Sequence, residues 1–216
     1  RAYLEKGKFA GKWILVPQAN PLGINAKSIH FTNGRIHHQT GENYNRTYFD
    51  LSKNIPYEKF KKLKESQVPA AFKKYLKEEL DSQVKNQLPY GLSYCQNLAY
   101  TLQSLSLEAD MIFDLHTDTR SDDYFYAGYY LKERAKKLNF PLGIFMPQKF
   151  GGAMDEAAFI PWINLYEQLG YECPFFSCTL ELGNEEAYCS KRGHEQAKKV
   201  IGFIEAKSKV EAQEQY

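Results

Sequence analysis

Two short stretches carry side chains able to do chemistry: Asp114-Leu115-His116 and Thr179-Leu180-Glu181-Leu182-Gly183. Each sets an ionisable group at the end of an apolar run, Met111-Ile112-Phe113 before the histidine and Phe175-Phe176 before the glutamate. Apolar runs that stop at polar residues read as buried strands of an α/β sheet, and ligands of such sheets bind beyond the carboxyl ends of the strands. Asp114 and His116 are two residues apart, so on a strand they point to the same side. His116 is then a metal ligand or a catalytic base, or else a capped histidine in a turn; this stretch alone leaves both open. A carboxylate between Leu180 and Leu182 is costly unless paired or functional, its plain alternative being a salt bridge to a nearby Lys or Arg.

A third stretch is irregular. Residues 24–47 show no clear periodicity, are punctuated by Gly, Asn and Thr, and hold His30, His37 and His38, three of the five histidines. Long irregular segments in compact domains are functional or disordered. Arg35, Asn43, Asn45 and Arg46 favour binding here, because guanidinium and amide groups grip carboxylates and carbonyl oxygens.

The elements that must position these groups alternate between strand and helix. Residues 12–17 read as a buried strand, and residues 52–87 as two or more helical pieces divided at Pro56 and Pro69. Residues 93–106 form a helix with Leu98, Leu102 and Leu105 on one face, feeding the strand that ends at His116. Then come a strand or rim loop over 123–130, a short helix over 132–138, a strand over 142–146, a helix over 155–169 and a strand over 175–183. A terminal helix opens at Asn184-Glu185-Glu186 and runs to about residue 206. This order predicts a single domain over 1–216, a three-layer α/β/α sandwich on a mostly parallel, mixed sheet.

Composition narrows the partners. Charge is +2 from 28 basic and 26 acidic residues, so nothing calls for a polyanion, and no aromatic recognition motif points to nucleic acid. No apolar run reaches the roughly 18 residues of a membrane span. Cys95, Cys173, Cys178 and Cys189 lack zinc-ribbon or redox spacing, which favours a reducing, cytoplasmic setting. Tyr124, Phe125, Tyr126 and Tyr129 follow the histidine motif and line either a pocket or the core, and Arg120 is a further candidate anion contact.

Taken in order, Asn20-Pro21-Leu22-Gly23, Gly34-Arg35, Gly41-Glu42-Asn43-Tyr44-Asn45-Arg46, Asp114-Leu115-His116-Thr117 and Thr179-Leu180-Glu181-Leu182-Gly183 resemble the aspartoacylase and succinylglutamate desuccinylase family of the zinc carboxypeptidase superfamily. The resemblance spans about residues 11–205. It implies His116 as a zinc ligand and Glu181 as the general base that activates water and then protonates the leaving amine. It implies Asn45 as a holder of a substrate carboxylate or polar group, Arg46 as the group that polarises the carbonyl or anchors the substrate, and Arg35 as a stabiliser of the oxyanion. The cofactor implied is one Zn2+, and the partner a small-molecule N-acyl amino acid or a peptide C-terminus.

One element of the family pattern is missing from the stretch it should occupy. The pattern has a His-x-x-Glu pair ahead of the first strand, and none occurs before Lys12. Residues 1–8 also lack an initiator Met and a helix-start signal. The expectation is an amino-terminally incomplete catalytic domain whose other zinc ligands lie upstream of Arg1, without the small carboxyl-terminal β domain common in the family. A reading of another class is a carboxylate-binding module on the same scaffold, without a complete metal site.

Overall fold

The computed structural model of the chain describes residues 11–28, 31–119 and 121–213. A short helix α1 (Pro21–Asn25) precedes β1 (Lys27–Ser28) and β2 (Phe31–Thr32), which pair antiparallel. Helices α2 (Tyr57–Phe60), α3 (Val68–Gln87) and α4 (Tyr94–Ser106) follow. Pro56 stands at the start of α2 and Pro69 in the first turn of α3, so both prolines open helices rather than break them. The second half alternates β3 (Met111–Asp118), β4 (Asp123–Gly128), α5 (Lys132–Ala135), β5 (Leu142–Met146), α6 (Met154–Leu169), β6 (Phe176–Asn184) and α7 (Ser190–Gln213).

The four long strands form one sheet in the order β3-β6-β4-β5, with β3 and β6 parallel, β6 and β4 antiparallel, and β4 and β5 parallel. Strand residues alternate between its two faces. Phe113, Phe125, Ala127, Phe176, Cys178 and Leu180 face one way, into a core closed by Leu131, Ala135 and Leu138 around α5 and by Val200 and Phe203 of α7. Ile112 faces the other way, onto a core built from Phe72, Leu76 and Leu80 of α3 and Phe159 and Ile163 of α6. Helices on both faces of a mixed sheet make the three α/β/α layers that the sequence predicts.

Three expectations change. Residues 12–17 form no strand among the described residues, and Trp13, Ile14, Leu15 and Val16 are 38%, 43%, 62% and 40% exposed. Apolar β-formers do not make a strand without a neighbour to bond to. In α4 the buried face is Cys95, Ala99, Gln103 and Ser106, whereas Leu105 is 40% exposed. Gln103 decides this: its amide accepts the Phe49 N–H at 3.0 Å and donates to the Phe49 carbonyl at 2.9 Å, tying the helix by that side to the preceding segment. The last helix begins at Ser190, beyond the expected Asn184. β6 runs through Asn184, whose Oδ1 accepts the Glu186 N–H at 2.7 Å in the turn that follows.

The alternative burial of α3 and α4 is testable. Phe72 is fully buried and meets Phe60 and Trp162 edge-on, so Phe72→Ala is expected to cost about 3–5 kcal/mol. Leu105→Ala is expected to change stability by about 0.5 kcal/mol or less. Urea unfolding midpoints measure both; an equal cost at the two positions would contradict this packing.

Candidate active site

The strand register brings the two chemical stretches side by side. Asp114 lies opposite Thr179 and His116 opposite Glu181 across the parallel β3/β6 pair. Across the antiparallel β6/β4 pair, Tyr124 lies opposite Glu181 and Tyr126 opposite Thr179. Laterally paired residues point to the same face, so that face carries two rows, His116-Glu181-Tyr124 and Asp114-Thr179-Tyr126. Past His116 the β3/β6 register shifts, and Asp118 pairs with Asn184.

His116 Nε2 is 2.9 Å from Asp114 Oδ2. In the neutral ring an aspartate there takes an Nε2–H and leaves Nδ1 with its lone pair, the arrangement that orients a metal-binding or proton-accepting imidazole. No described residue hydrogen-bonds Nδ1. Burial alone would lower the His116 pKa; the hydrogen bond and charge of Asp114, with Glu181 and Asp155 beyond, outweigh it and raise it above the usual histidine value.

Glu181 is 8% exposed, and its Oε2 is buried with no hydrogen-bond partner. The salt bridge that would make it merely structural is absent among the described residues. Burial pushes its pKa up, His116 and Arg35 pull it down, and the nearby Asp118 and Asp114 push it up again, with a net rise. A carboxyl group so placed has an oxygen without a protein partner and a proton affinity above that of an ordinary glutamate.

Beneath the histidine lies a carboxyl group that the sequence does not single out. Asp155, buried in the first turn of α6, accepts the Glu156 N–H at 2.9 Å. Burial raises its pKa, its bond to the Glu156 N–H opposes this, Asp114 and Glu156 add to the rise, and the Thr179 hydroxyl opposes it. An acidic residue at a helix start has an ordinary explanation in the helix dipole, which hides this one in the sequence. Tyr48 also belongs here: burial and the charge of Asp114 raise its phenol pKa.

The irregular segment becomes a braced loop. Ile36 and Asn43 form a β-bridge, and the Tyr44 N–H donates to the Arg35 carbonyl at 3.1 Å. Asn43 Oδ1 accepts the Asn45 N–H at 2.9 Å and caps the short turn Tyr44–Arg46. Glu42 accepts the Ser93 hydroxyl at 2.9 Å, joining the loop to the start of α4, where His37 stacks on Tyr94. Asn45 does not point wholly at a ligand, because its Oδ1 accepts the Met154 N–H at 2.8 Å. Its carbonyl group thus pins the loop to the start of α6. Gly152 sits against the Arg46 backbone with φ at +90°; a Cβ there would lie 2.6 Å from the Arg46 carbonyl oxygen, so only glycine fits.

The arginines sit on this braced loop. Arg35 and Arg46 are exposed; the Arg46 guanidinium bonds the Asn45 carbonyl, and the charge of Arg35 reaches Glu181. His38 is exposed, and His194 lies on α7 with Nδ1 against the Ser190 carbonyl. His30 and Arg120 lie outside the described residues. Among the described residues, no group of three or more His, Cys, Asp or Glu is arranged to hold a metal. Among the described residues, this face brings together one imidazole held by an aspartate, that of His116, and one buried, unpartnered carboxylate oxygen, that of Glu181.

Residues 2–205 match the family model of the succinylglutamate desuccinylase/aspartoacylase catalytic domain. Two solved structures share the fold, each with a TM-score of 0.80 over 87% of this chain. One bears the name succinylglutamate desuccinylase/aspartoacylase, comes from Shewanella frigidimarina NCIMB 400 and is 34% identical. The other, named for the same family, comes from Shewanella amazonensis SB2B and is 38% identical. This chain spans about half the length of these proteins, 52% and 53%. No curated protein matches it. On the match along nearly its whole length and on these two structures, the chain belongs to the succinylglutamate desuccinylase/aspartoacylase family.

Proposed function

We propose that this chain carries the greater part of a hydrolytic site that cleaves the amide bond of an N-acyl amino acid or a peptide C-terminus with the help of one zinc ion. The observation that carries the reading is the buried, unpartnered Glu181 Oε2 standing in register beside an imidazole held by Asp114. Zinc, when bound, lowers the pKa of water to about 7 and polarises a carbonyl oxygen. His116 would hold it through Nδ1, and the reading needs further ligands from beyond the described residues.

The chain's own groups then divide the work. Glu181 takes a proton from water as the water oxygen attacks the carbonyl carbon. When the C–N bond breaks, Glu181 returns that proton to the leaving nitrogen, giving a carboxylic acid and an amine. Its raised pKa suits both halves of the transfer. Arg35 and Arg46 supply positive charge for the oxyanion and for a substrate carboxylate. The Asn45 amide adds donors to the same end.

Two measurements test this reading. Glu181→Gln is expected to lower turnover of an N-acyl amino acid by about a hundred- to ten-thousand-fold while zinc content stays unchanged. Retained turnover would remove the proton-transfer role, and binding of the compound with no hydrolysis by the unaltered protein would favour a carboxylate-binding module. Asp114→Asn is expected to lower the His116 pKa in metal-free protein, read from the ring C–H shift in an NMR titration. Because the folded-state pKa is raised, the stability given by protonated His116 is full below about pH 6.5 and is lost as pH rises through the folded value. Asp114→Asn should remove that pH-dependent part; an unmoved titration would contradict the orienting bond.

A further inference from the structure

The two rows on the candidate face do not stop at the tyrosines. β5 continues them: Leu142 lies opposite Tyr124 and Ile144 opposite Tyr126. Adjacent strands are about 5 Å apart, which sets Leu142 about 10 Å from Glu181 along the row, with Tyr124 between. The opposite face of β5 is filled, since Gly143 lies against the Phe125 ring, where a Cβ would come within 2.3 Å of it. On the candidate face Leu142 and Ile144 remain 57% and 37% exposed. The Tyr126 hydroxyl donates to that of Tyr124 at 3.4 Å, and their rings meet edge-on.

The surroundings of Glu181 are therefore asymmetric in charge. The braced loop carries Arg35, Asn45 and Arg46, rich in donors, and the positive charge of Arg35 reaches Glu181. The ledge beside Glu181 offers two phenol rings and two aliphatic side chains, none of them charged. An N-acyl amino acid is asymmetric in the same sense, because its α-carboxylate lies on one side of the scissile amide and its acyl chain on the other. Charge complementarity directs the carboxylate to the arginines. The acyl chain is then led over Tyr124 toward Leu142, where covering exposed apolar surface favours an uncharged chain. A second carboxylate at the end of that chain would lose hydration against Leu142 without gaining a cation from the ledge.

Resting on the hydrolase reading above, we propose that Tyr124, Tyr126, Leu142 and Ile144 form the acyl-chain subsite, so that the preferred substrates are N-acyl amino acids with an uncharged, apolar acyl group. The test compares N-butanoyl and N-succinyl derivatives of one amino acid, four-carbon acyl groups that differ in ending on a methyl or a carboxylate. The unaltered protein is expected to favour the butanoyl compound in kcat/KM by about tenfold or more. Leu142→Lys, at an exposed edge position that tolerates lysine, is expected to shift the ratio toward succinyl. Leu142→Ala is expected to weaken butanoyl turnover alone. A preference for succinyl in the unaltered protein, or a ratio unmoved by both substitutions, would overturn the subsite. If neither compound is hydrolysed, the hydrolase reading falls, and the subsite is read from binding instead. The butanoyl compound should then shift the ring signals of Tyr124 and Tyr126 more than the succinyl compound does, and equal or absent shifts would overturn it.

Discussion

The arrangement depends on one pairing, the parallel register that sets His116 of β3 beside Glu181 of β6. Side chains on a strand alternate with a period of two, so a slip of one residue would turn Glu181 into the core now filled by Leu180 and bring Leu180 to the site. The register is held from below, where Phe113, Phe176, Cys178 and Leu180 fill the core against α7. The chemical side of the sheet is thus positioned by the apolar side. Packing of the phenylalanines and leucines stabilises the fold, and the same pairing carries a carboxylate to a place where burial would otherwise be unfavourable.

From that pairing the rest of the site follows outward. Asp114, two residues before His116 on the same face, can reach the ring, and it does so at Nε2. The start of α6 is held against the same region, with Asp155 beneath and the Met154 N–H donating to Asn45. That hydrogen bond, together with the close approach of Gly152 to the Arg46 backbone, fastens a loop of little regular structure to a helix in the body of the domain. Loops that carry binding groups gain precision from such attachment.

Much of the architecture was legible in the sequence where apolar runs are sharply bounded. The strands ending near His116, at Met146 and near Gly183 are of this kind, as is the helix over 154–169. Strand order was not legible, because no local signal says that β6 lies between β3 and β4. Residues 12–17 have the composition of a strand, but pairing is a property of two segments, and composition reports only one. The leucines of α4 mark an apolar stripe, yet the polar Gln103 sits in the buried face because it satisfies both backbone groups of Phe49. In the site, Glu181 was visible as a carboxylate in an apolar setting, and Asp114 as a neighbour on the same face. Asp155 was hidden by its ordinary place at a helix start, and Tyr124 and Tyr126 by the ambiguity of aromatic residues on strands. Asn45 carries a structural duty at its carbonyl oxygen that a ligand-binding assignment alone does not foresee.

We propose that His116, held by Asp114 at Nε2 and paired in register with Glu181, binds zinc through Nδ1. Diffraction from crystals containing zinc, recorded on both sides of the zinc absorption edge, tests it without reference to any substrate. The account predicts an anomalous peak beside His116 Nδ1, with Asp114 still bonded to Nε2. Zinc bound at Nε2 in place of Asp114, or zinc found only at sites remote from His116, would contradict it.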